Sequence, residues 1–420
     1  MKCIVEVSKM NPIYTGLDIG NGEIKVIVGQ VQKDTFYVLA STSLKSKGMK
    51  KNTIYDQKKL KETLHQAISQ TELKLGMKIK EVILCVPTGN AMMTIESGLV
   101  NLKDNVVTGK DIKAVLNDAS KGTYDNTREL VTCLPVSFTV DDMASSIDPL
   151  GQQGEKLFTK AVVATSEKKE IYPLIEIVHS LGINIVDIIY NAQADYYTVN
   201  TKELDRKMGC MINIGADMTT VAIFNKGIMI KNSYIPVGSS SVDKDISFIY
   251  KIDTETARYL KETFALTVGR YASTQEVIEV KTMEQKTINI KQSEISSVIE
   301  SRLAEILKLA KNEINRLTKR EISYIIVVGG VSEIAGFNYL VEDILGKNAR
   351  CFNMQQLGAR HNKYTSALGS CKYFYQKCNR QQIQSSMFSS IEQAAFEAPK
   401  KRSPVNEVVI NKFFGHFFDN

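Results

Sequence analysis

One pattern occurs twice in this chain and limits what it can fold into. At Tyr14–Val28 an apolar run enters the turn Gly16-Leu17-Asp18-Ile19-Gly20-Asn21-Gly22-Glu23, and a second apolar run leaves it. About 195 residues later the design returns as Ile212-Asn213-Ile214-Gly215-Ala216-Asp217-Met218-Thr219-Thr220. Each copy reads as strand, tight turn, strand, and the pair reads as a weak internal duplication. Glycines in such a turn let successive backbone N–H groups point at one anion. Asp18, at a strand end, is placed to hold Mg²⁺ through water. The same residues also describe a plain β-hairpin, because Asn-Gly is a favoured turn dipeptide. A third segment, Ile325-Ile326-Val327-Val328-Gly329-Gly330-Val331-Ser332, ends a wholly apolar strand on two glycines and admits close approach of a flat ring. Each segment alone fits a generic strand end; their order and spacing set them apart.

The surrounding chain predicts an α/β protein. Strand-like and helix-like segments alternate through most of it. Leu60, Leu64, Ala67 and Ile68 mark a helix over Asp56–Lys74, and Val82–Val86 reads as a buried strand ended by Pro87. From Pro87 to about Thr165 the chain is rich in glycine loops with one helix at Asp111–Lys121, the mark of an inserted subdomain. Helix and strand resume over Glu167–Tyr190. A long helix starts at about Ser293, the expected N-cap, and carries Ile295, Ile299, Leu303, Ile306, Ala310 and Ile314 on one face. A strand at Ile322–Val328 and a helix at Thr365–Tyr375 close the globular part.

Composition narrows the function classes. Length 420 allows two or three domains, and 43% hydrophobic with 24% charged residues excludes a wholly disordered chain. The net charge of +7 is mild at this length. Seven cysteines without a CxxC, and four histidines none of which neighbours a cysteine at ligand spacing, argue for a reducing compartment and against a zinc site. The N-terminal residues MKCIVEVSKMNPIY lack an apolar signal core, and no run of about 18 apolar residues exists, so a cytoplasmic location is expected. The cluster Lys45, Lys47, Lys50, Lys51, Lys58, Lys59 and Lys61 is not supported by regular aromatic interleaving, so it reads as a solvated face and no nucleic-acid partner is expected.

The last residues break the pattern again. Residues 376–405 are rich in Gln, Ser and Lys and read as a flexible linker. Within 406–420, Val409, Ile410, Phe413, Phe414, Phe417 and Phe418 fall on one helical face. With the basic run Lys400, Lys401 and Arg402 before it, this reads as an interfacial helix on an anionic membrane surface. The alternative is a helix docked on protein.

With these segments in hand, the chain resembles the FtsA family of bacterial actin homologues, membrane adaptors of the cell-division ring. Leu134-Pro135-Val136 through Asp148-Pro149-Leu150-Gly151-Gln152-Gln153-Gly154 resembles the family's inserted subdomain. Ile235-Pro236-Val237-Gly238 with Asp245-Ile246 resembles the stretch after its second phosphate loop, and Val328–Gly336 its adenosine motif. The resemblance implies an actin-like ATPase fold of two lobes around a nucleotide cleft. One lobe is 12–86 and 166–204, completed by 360–375, with the insertion at 87–165; the other is 205–235 and 319–359, with an outer subdomain at 236–318.

It implies ATP and Mg²⁺ as cofactors. Phosphates would lie between Asp18, Gly20, Asn21 and Gly22 on one side and Asn213, Gly215, Ala216, Asp217, Met218 and Thr219 on the other. Gly238, Lys261, Gly329, Gly330 and Val331 would serve the nucleoside, and Asp18 the metal. It further implies self-association into filaments, the C-terminal peptide of the tubulin-like FtsZ as partner, other division proteins, and a place on the cytoplasmic face of the cell membrane at the division site. The chain departs from the family pattern at Asn21 for Thr, Glu23 for Lys, Asn213 for Asp, Asp217 for Gly and Arg258 for Glu. These departures imply slow or absent ATP hydrolysis, with no catalytic residue assigned. The alternatives are a small-molecule kinase of the same superfamily, for which no catalytic base motif is visible, and a pilus-assembly adaptor, against which the Phe-rich tail argues.

Overall fold

All seven residues of Ile13–Ile19 are buried, so the segment needs strand partners on both sides and apolar cover on both faces. A computed structural model provides them. It describes residues 11–389 apart from 123, 142 and 384. Residues 11–387 form one unit; residues 1–10 and 388–420 form another, of which only 388 and 389 are described.

Strand β1 (Ile13–Ile19) runs antiparallel to β2 (Glu23–Gln32), and β2 to β3 (Thr35–Lys45). A small hairpin of β4 (Met49–Lys50) and β5 (Thr53–Ile54) leads to α1 (Gln57–Leu75). The Asp56 carboxylate accepts the Lys59 N–H at the start of α1, and Gly76 ends the helix at φ 77°. Next, β6 (Glu81–Val86) pairs parallel to β1. The chain then leaves this sheet. β7 (Met92–Asn101), α2 (Gly109–Ser120), β8 (Arg128–Val140) and β9 (Lys156–Glu167) build a separate antiparallel sheet in the order β7-β9-β8. Ile112 and Val115 of α2 share a core there with Phe138 and Leu157. Helix α3 (Lys168–His179) returns to β10 (Asn184–Tyr190), which completes the first sheet in the order β10-β6-β1-β2-β3.

The second half repeats the plan. α4 (Asn191–Val199) leads to β11 (Met208–Ile214), β12 (Thr219–Asn225) and β13 (Ile228–Ile235), an antiparallel meander like β1-β2-β3. α5 (Ser240–Tyr250), α6 (Thr254–Thr263), the hairpin β14 (Val277–Lys281) and β15 (Thr287–Lys291), and the long α7 (Gln292–Leu317) follow. β16 (Tyr324–Val328) pairs parallel to β11, α8 (Phe337–Leu345) leads to β17 (Ala349–Cys351), and α9 (Thr365–Arg380) comes last. The sheet order β13-β12-β11-β16-β17 matches β3-β2-β1-β6-β10 in order and strand sense. The duplication is therefore one of topology. Register equates Asp18, opposite Lys25, with Asn213, opposite Thr220.

Helices α4 and α9 meet backbone to backbone. A Cβ on Gly369 would lie 1.7 Å from the Ala194 carbonyl oxygen, and one on Gly16 of β1 would lie 2.1 Å from that of Ala367. The Thr198 hydroxyl donates to the Thr365 carbonyl at 2.6 Å within this contact.

Two expectations fail on packing grounds. α7 starts at Gln292 rather than at a Ser293 cap. Gln292 fixes that start: its side chain accepts from the Ser273 N–H and donates to the Phe264 carbonyl. The linker does not begin at Gln376, because α9 runs on to Arg380 and buries Cys378. The chain then returns to β1, where Met387 N–H donates to the Ile13 carbonyl and Ile13 N–H to the Ser386 hydroxyl. The basic run Lys400, Lys401 and Arg402 and the apolar face from Val409 to Phe418 lie outside the described residues. Among the described residues no helix is long and apolar enough to cross a membrane.

Gly369→Ala would push a methyl group into a carbonyl oxygen. It is expected to destabilise the protein by about 3 kcal/mol in urea unfolding. Gly89→Ala, whose Cβ meets nothing closer than 3.6 Å, is expected to stay within about 0.5 kcal/mol of wild type.

Candidate functional site

The two repeated turns are closed by the same bond. Gly20 N–H donates to the Glu23 carbonyl at 3.0 Å, and Gly215 N–H to the Met218 carbonyl at 3.0 Å. Because the sheets share one topology, the turns occupy equivalent corners and face each other across a cleft. They nearly touch at one point, where a Cβ on Gly22 would lie 2.7 Å from that of Ala216. The third wall is the end of β16. Gly329 takes φ 103°, and a Cβ there would lie 2.5 Å from the Ile214 carbonyl oxygen.

Asp18, Gly20, Asn21 and Gly22 line the cleft from the first half. Asn213, Gly215, Ala216 and Met218 line it from the second, and Lys261, Gly329, Gly330 and Val331 from the far end. Three residues expected as contacts do not line it. Thr219 is fully buried and donates its hydroxyl to the Val237 carbonyl. Gly238 lies behind the second turn, where a Cβ would sit 2.4 Å from the Gly215 carbonyl oxygen; Ser239 and Ser240 donate their N–H groups to the Gly215 and Ala216 carbonyls there. Asp217 bonds elsewhere: its Oδ2 accepts the Lys51 N–H at 3.3 Å.

The charges of the cleft come largely from residues the motifs did not flag. Lys25 Nζ lies 3.0 Å from Asp18 Oδ2, and Asn191 Nδ2 donates to Asp18 Oδ1 at 3.1 Å. Burial works against the Lys25 charge, but Asp18 outweighs it and raises the pKa above the ordinary lysine value. Strand alternation was the available signal: Lys25 stands opposite Asp18 on β2. Burial would likewise raise the Glu23 pKa, yet Lys363, at 3.5 Å, and Lys25 hold it below the usual range. At the far end of the cleft, buried Asp243 takes Lys261 Nζ at 2.5 Å and Arg258 Nε at 3.3 Å.

Under the floor lies Asp195, with no exposed surface. It accepts Asn213 Nδ2 at 2.6 Å and the Ser366 hydroxyl at 2.8 Å. Burial pushes its pKa up to about 6, against the lowering effect of its hydrogen bonds to Thr365, Asn213 and Ser366.

Among the described residues no group of three or more Asp, Glu, His or Cys side chains could hold a metal directly. A hydrated cation fits the donor set better. Each Asp18 carboxylate oxygen keeps a lone pair beyond its one bond. Asn191 Oδ1, on a cleft-lining residue, is buried with no partner in the protein. Both accept from water.

Two copies of one sheet motif, with their turns opposed across a glycine-walled cleft, define an actin-like ATPase fold. Solved structures with the same fold include the PilM-PilN type IV pilus biogenesis complex (TM-score 0.55, 17% identity, 85% of this chain and 96% of that one). MreB5 of Spiroplasma citri bound to ADP is another (TM-score 0.54, 15% identity, 88% and 98%). Within that fold the chain belongs to the FtsA family. The profile described as cell division protein FtsA matches residues 210–369, and that of the SHS2 domain inserted in FtsA matches 90–165. The cell division protein FtsA of Bacillus subtilis is 26% identical over 89% of this chain and 85% of its own length. That of Pseudomonas aeruginosa is 24% identical over 96% and 98%.

The Asp195 environment has a pH signature. Its native pKa of about 6 lies above the unfolded value near 3.8, so the native state binds the proton more tightly. That contribution to stability is full below pH 4 and is lost as pH rises through about 6, a swing of about 3 kcal/mol. Asp195→Asn lacks the titration. The stability of wild type relative to this variant is expected to fall by about that amount between pH 4 and pH 7 in matched denaturant melts; a constant difference would contradict the assignment.

Proposed function

We propose that this chain binds ATP with Mg²⁺ in the cleft, associates with copies of itself on the cytoplasmic face of the cell membrane at the division site, and holds the FtsZ C-terminal peptide there. One observation carries the nucleotide part: two glycine turns from opposite halves converge with the Gly329-Gly330 strand end on a single cleft that also holds the partly buried Lys25. Shared fold supports it, since MreB5 of Spiroplasma citri is described as bound to ADP and, in a second structure, to AMPPNP. The division role follows the family.

In this reading the turn backbones at Asn21–Gly22 and Ala216–Met218 cradle phosphates, while the Gly20 and Gly215 N–H groups close the turns. Lys25 supplies the nearby positive charge. Asp18 and Asn191 orient the waters of Mg²⁺, which when bound neutralises phosphate charge. Gly329, Gly330 and Val331 leave room for the nucleoside, with Lys261 and Arg258 beside it. Hydrolysis is slow or absent: position 213 carries an amide, and its Nδ2 is already bonded to Asp195. The tail helix 406–420, with Lys400, Lys401 and Arg402 before it, anchors the chain to anionic lipid. One short helix binds marginally, so several tails on one filament hold better through effective concentration. The subdomain at 236–318 takes the FtsZ peptide, and the insertion at 87–165 makes filament contacts.

Two measurements test these parts separately. The full chain is expected to co-sediment with anionic liposomes, more so with Mg-ATP, and the chain lacking 406–420 to stay in solution. Equal pelleting of both would remove the anchor. In calorimetric titration, Lys25→Met is expected to weaken ATP binding at least tenfold, the value of a charged hydrogen bond; unchanged affinity in a folded variant would put the phosphates elsewhere.

A further inference from the structure

The two turns are also tied together by an element that belongs to neither. The β4–β5 hairpin ends in Lys51 and Asn52, both left-handed at φ 46° and 60°, the paired conformation of a two-residue turn. Asn52 N–H donates to Asn21 Oδ1 at 2.8 Å, and Asn21 Nδ2 donates back to Asn52 Oδ1 at 2.9 Å. One residue earlier, Lys51 N–H donates to Asp217 Oδ2 at 3.3 Å. Adjacent residues of one hairpin tip thus bond to opposite turns of the cleft.

The side chains suit this role. A reciprocal bond at 21 needs a donor and an acceptor at the end of one short side chain, which an amide has. The bond at 217 needs a side-chain acceptor, and glycine would leave the Lys51 N–H without it. Asn21 and Asp217 are two of the positions at which the sequence departs from the family pattern, and the hairpin gives both departures one structural use. Asn52 lines the cleft beside Asn21, so the tie sits at the phosphate side and not on a remote surface. A second link joins the same halves, where Lys45 of β3 pairs with Glu255 of α6 at 2.5 Å. Both of its partners are exposed, so it contributes little.

We propose that Lys51 and Asn52 form a clasp that holds the two turns together before nucleotide binds, and that opening of this clasp limits nucleotide entry and release. The inference rests on the nucleotide reading above. The clasp differs from a binding contact in its kinetic signature. Removing a gate speeds association and release together, whereas removing a contact raises release alone.

The test uses the full chain and a fluorescent ATP analogue in stopped flow, comparing wild type with Asp217→Gly and Asn52→Gly; glycine keeps the left-handed turn available. Association and release are both expected to rise on the order of tenfold, with the dissociation constant changing less than threefold. Rates within twofold of wild type in both variants would overturn the clasp, and so would a rise in release alone. Amide hydrogen exchange on the nucleotide-free proteins separates this from the underlying reading. The 49–55 peptide is expected to be protected in wild type and to lose protection in Asp217→Gly; equal exchange overturns the tie. A wild-type chain with a protected hairpin but no nucleotide binding would refute the nucleotide reading and the gating, while the tie between the turns would stand.

Discussion

A single carboxylate with no exposed surface joins the parts of this molecule that make the cleft. Asp195 sits on α4, accepts from Ser366 at the start of α9, and accepts from Asn213 at the end of β11. A buried charge is costly unless it is paired or fully hydrogen-bonded. Here the carboxylate and its donors come from three elements, α4, β11 and α9, so satisfying the carboxylate and assembling the cleft floor are the same event. The second turn is held in place through Asn213. The crossing of α4 and α9 is fixed within one helical turn of the same point, at Gly369 and Ala194.

The duplicated topology explains why a cleft exists, and the substitutions within it explain its electrical asymmetry. Equivalent positions hold Asp18 and Lys25 in one half and Asn213 and Thr220 in the other. At these positions the first half therefore brings an ion pair, and the second brings neutral side chains. An anion between them meets a fixed cation on one side only. The two turns share one backbone closure and register and differ in their side chains.

Much of the fold was legible because it is written locally. The two strand–turn–strand segments and the Gly329-Gly330 strand end show as apolar runs punctuated by glycine, and the insertion shows as a glycine-rich stretch, though its three strands do not. Residues whose role depends on distant partners were not legible. Asn52 acquires its meaning from Asn21, and Asp217 from Lys51, 166 residues away. Nothing in the local sequence singled out Asp195. The end of α9 was misread for a physical reason: Gln376, Lys377, Asn379 and Arg380 give a linker-like composition, yet Lys377 pairs with Asp187 at 2.6 Å and Cys378 between them is buried. Solvated composition and helical structure coexist on one helix whenever a single face is packed.

The contact of Gly369 with the Ala194 carbonyl also has a mechanical side. Two helices separated by side chains can slide, because rotamers absorb the movement. Two helices in backbone contact have no such cushion, so translation along the interface is resisted and rotation about the crossing remains. The crossing therefore holds Asp195 and Ser366, one and three residues from that contact, at a fixed spacing under the cleft, and a side chain at 369 would change that spacing before it changed anything else.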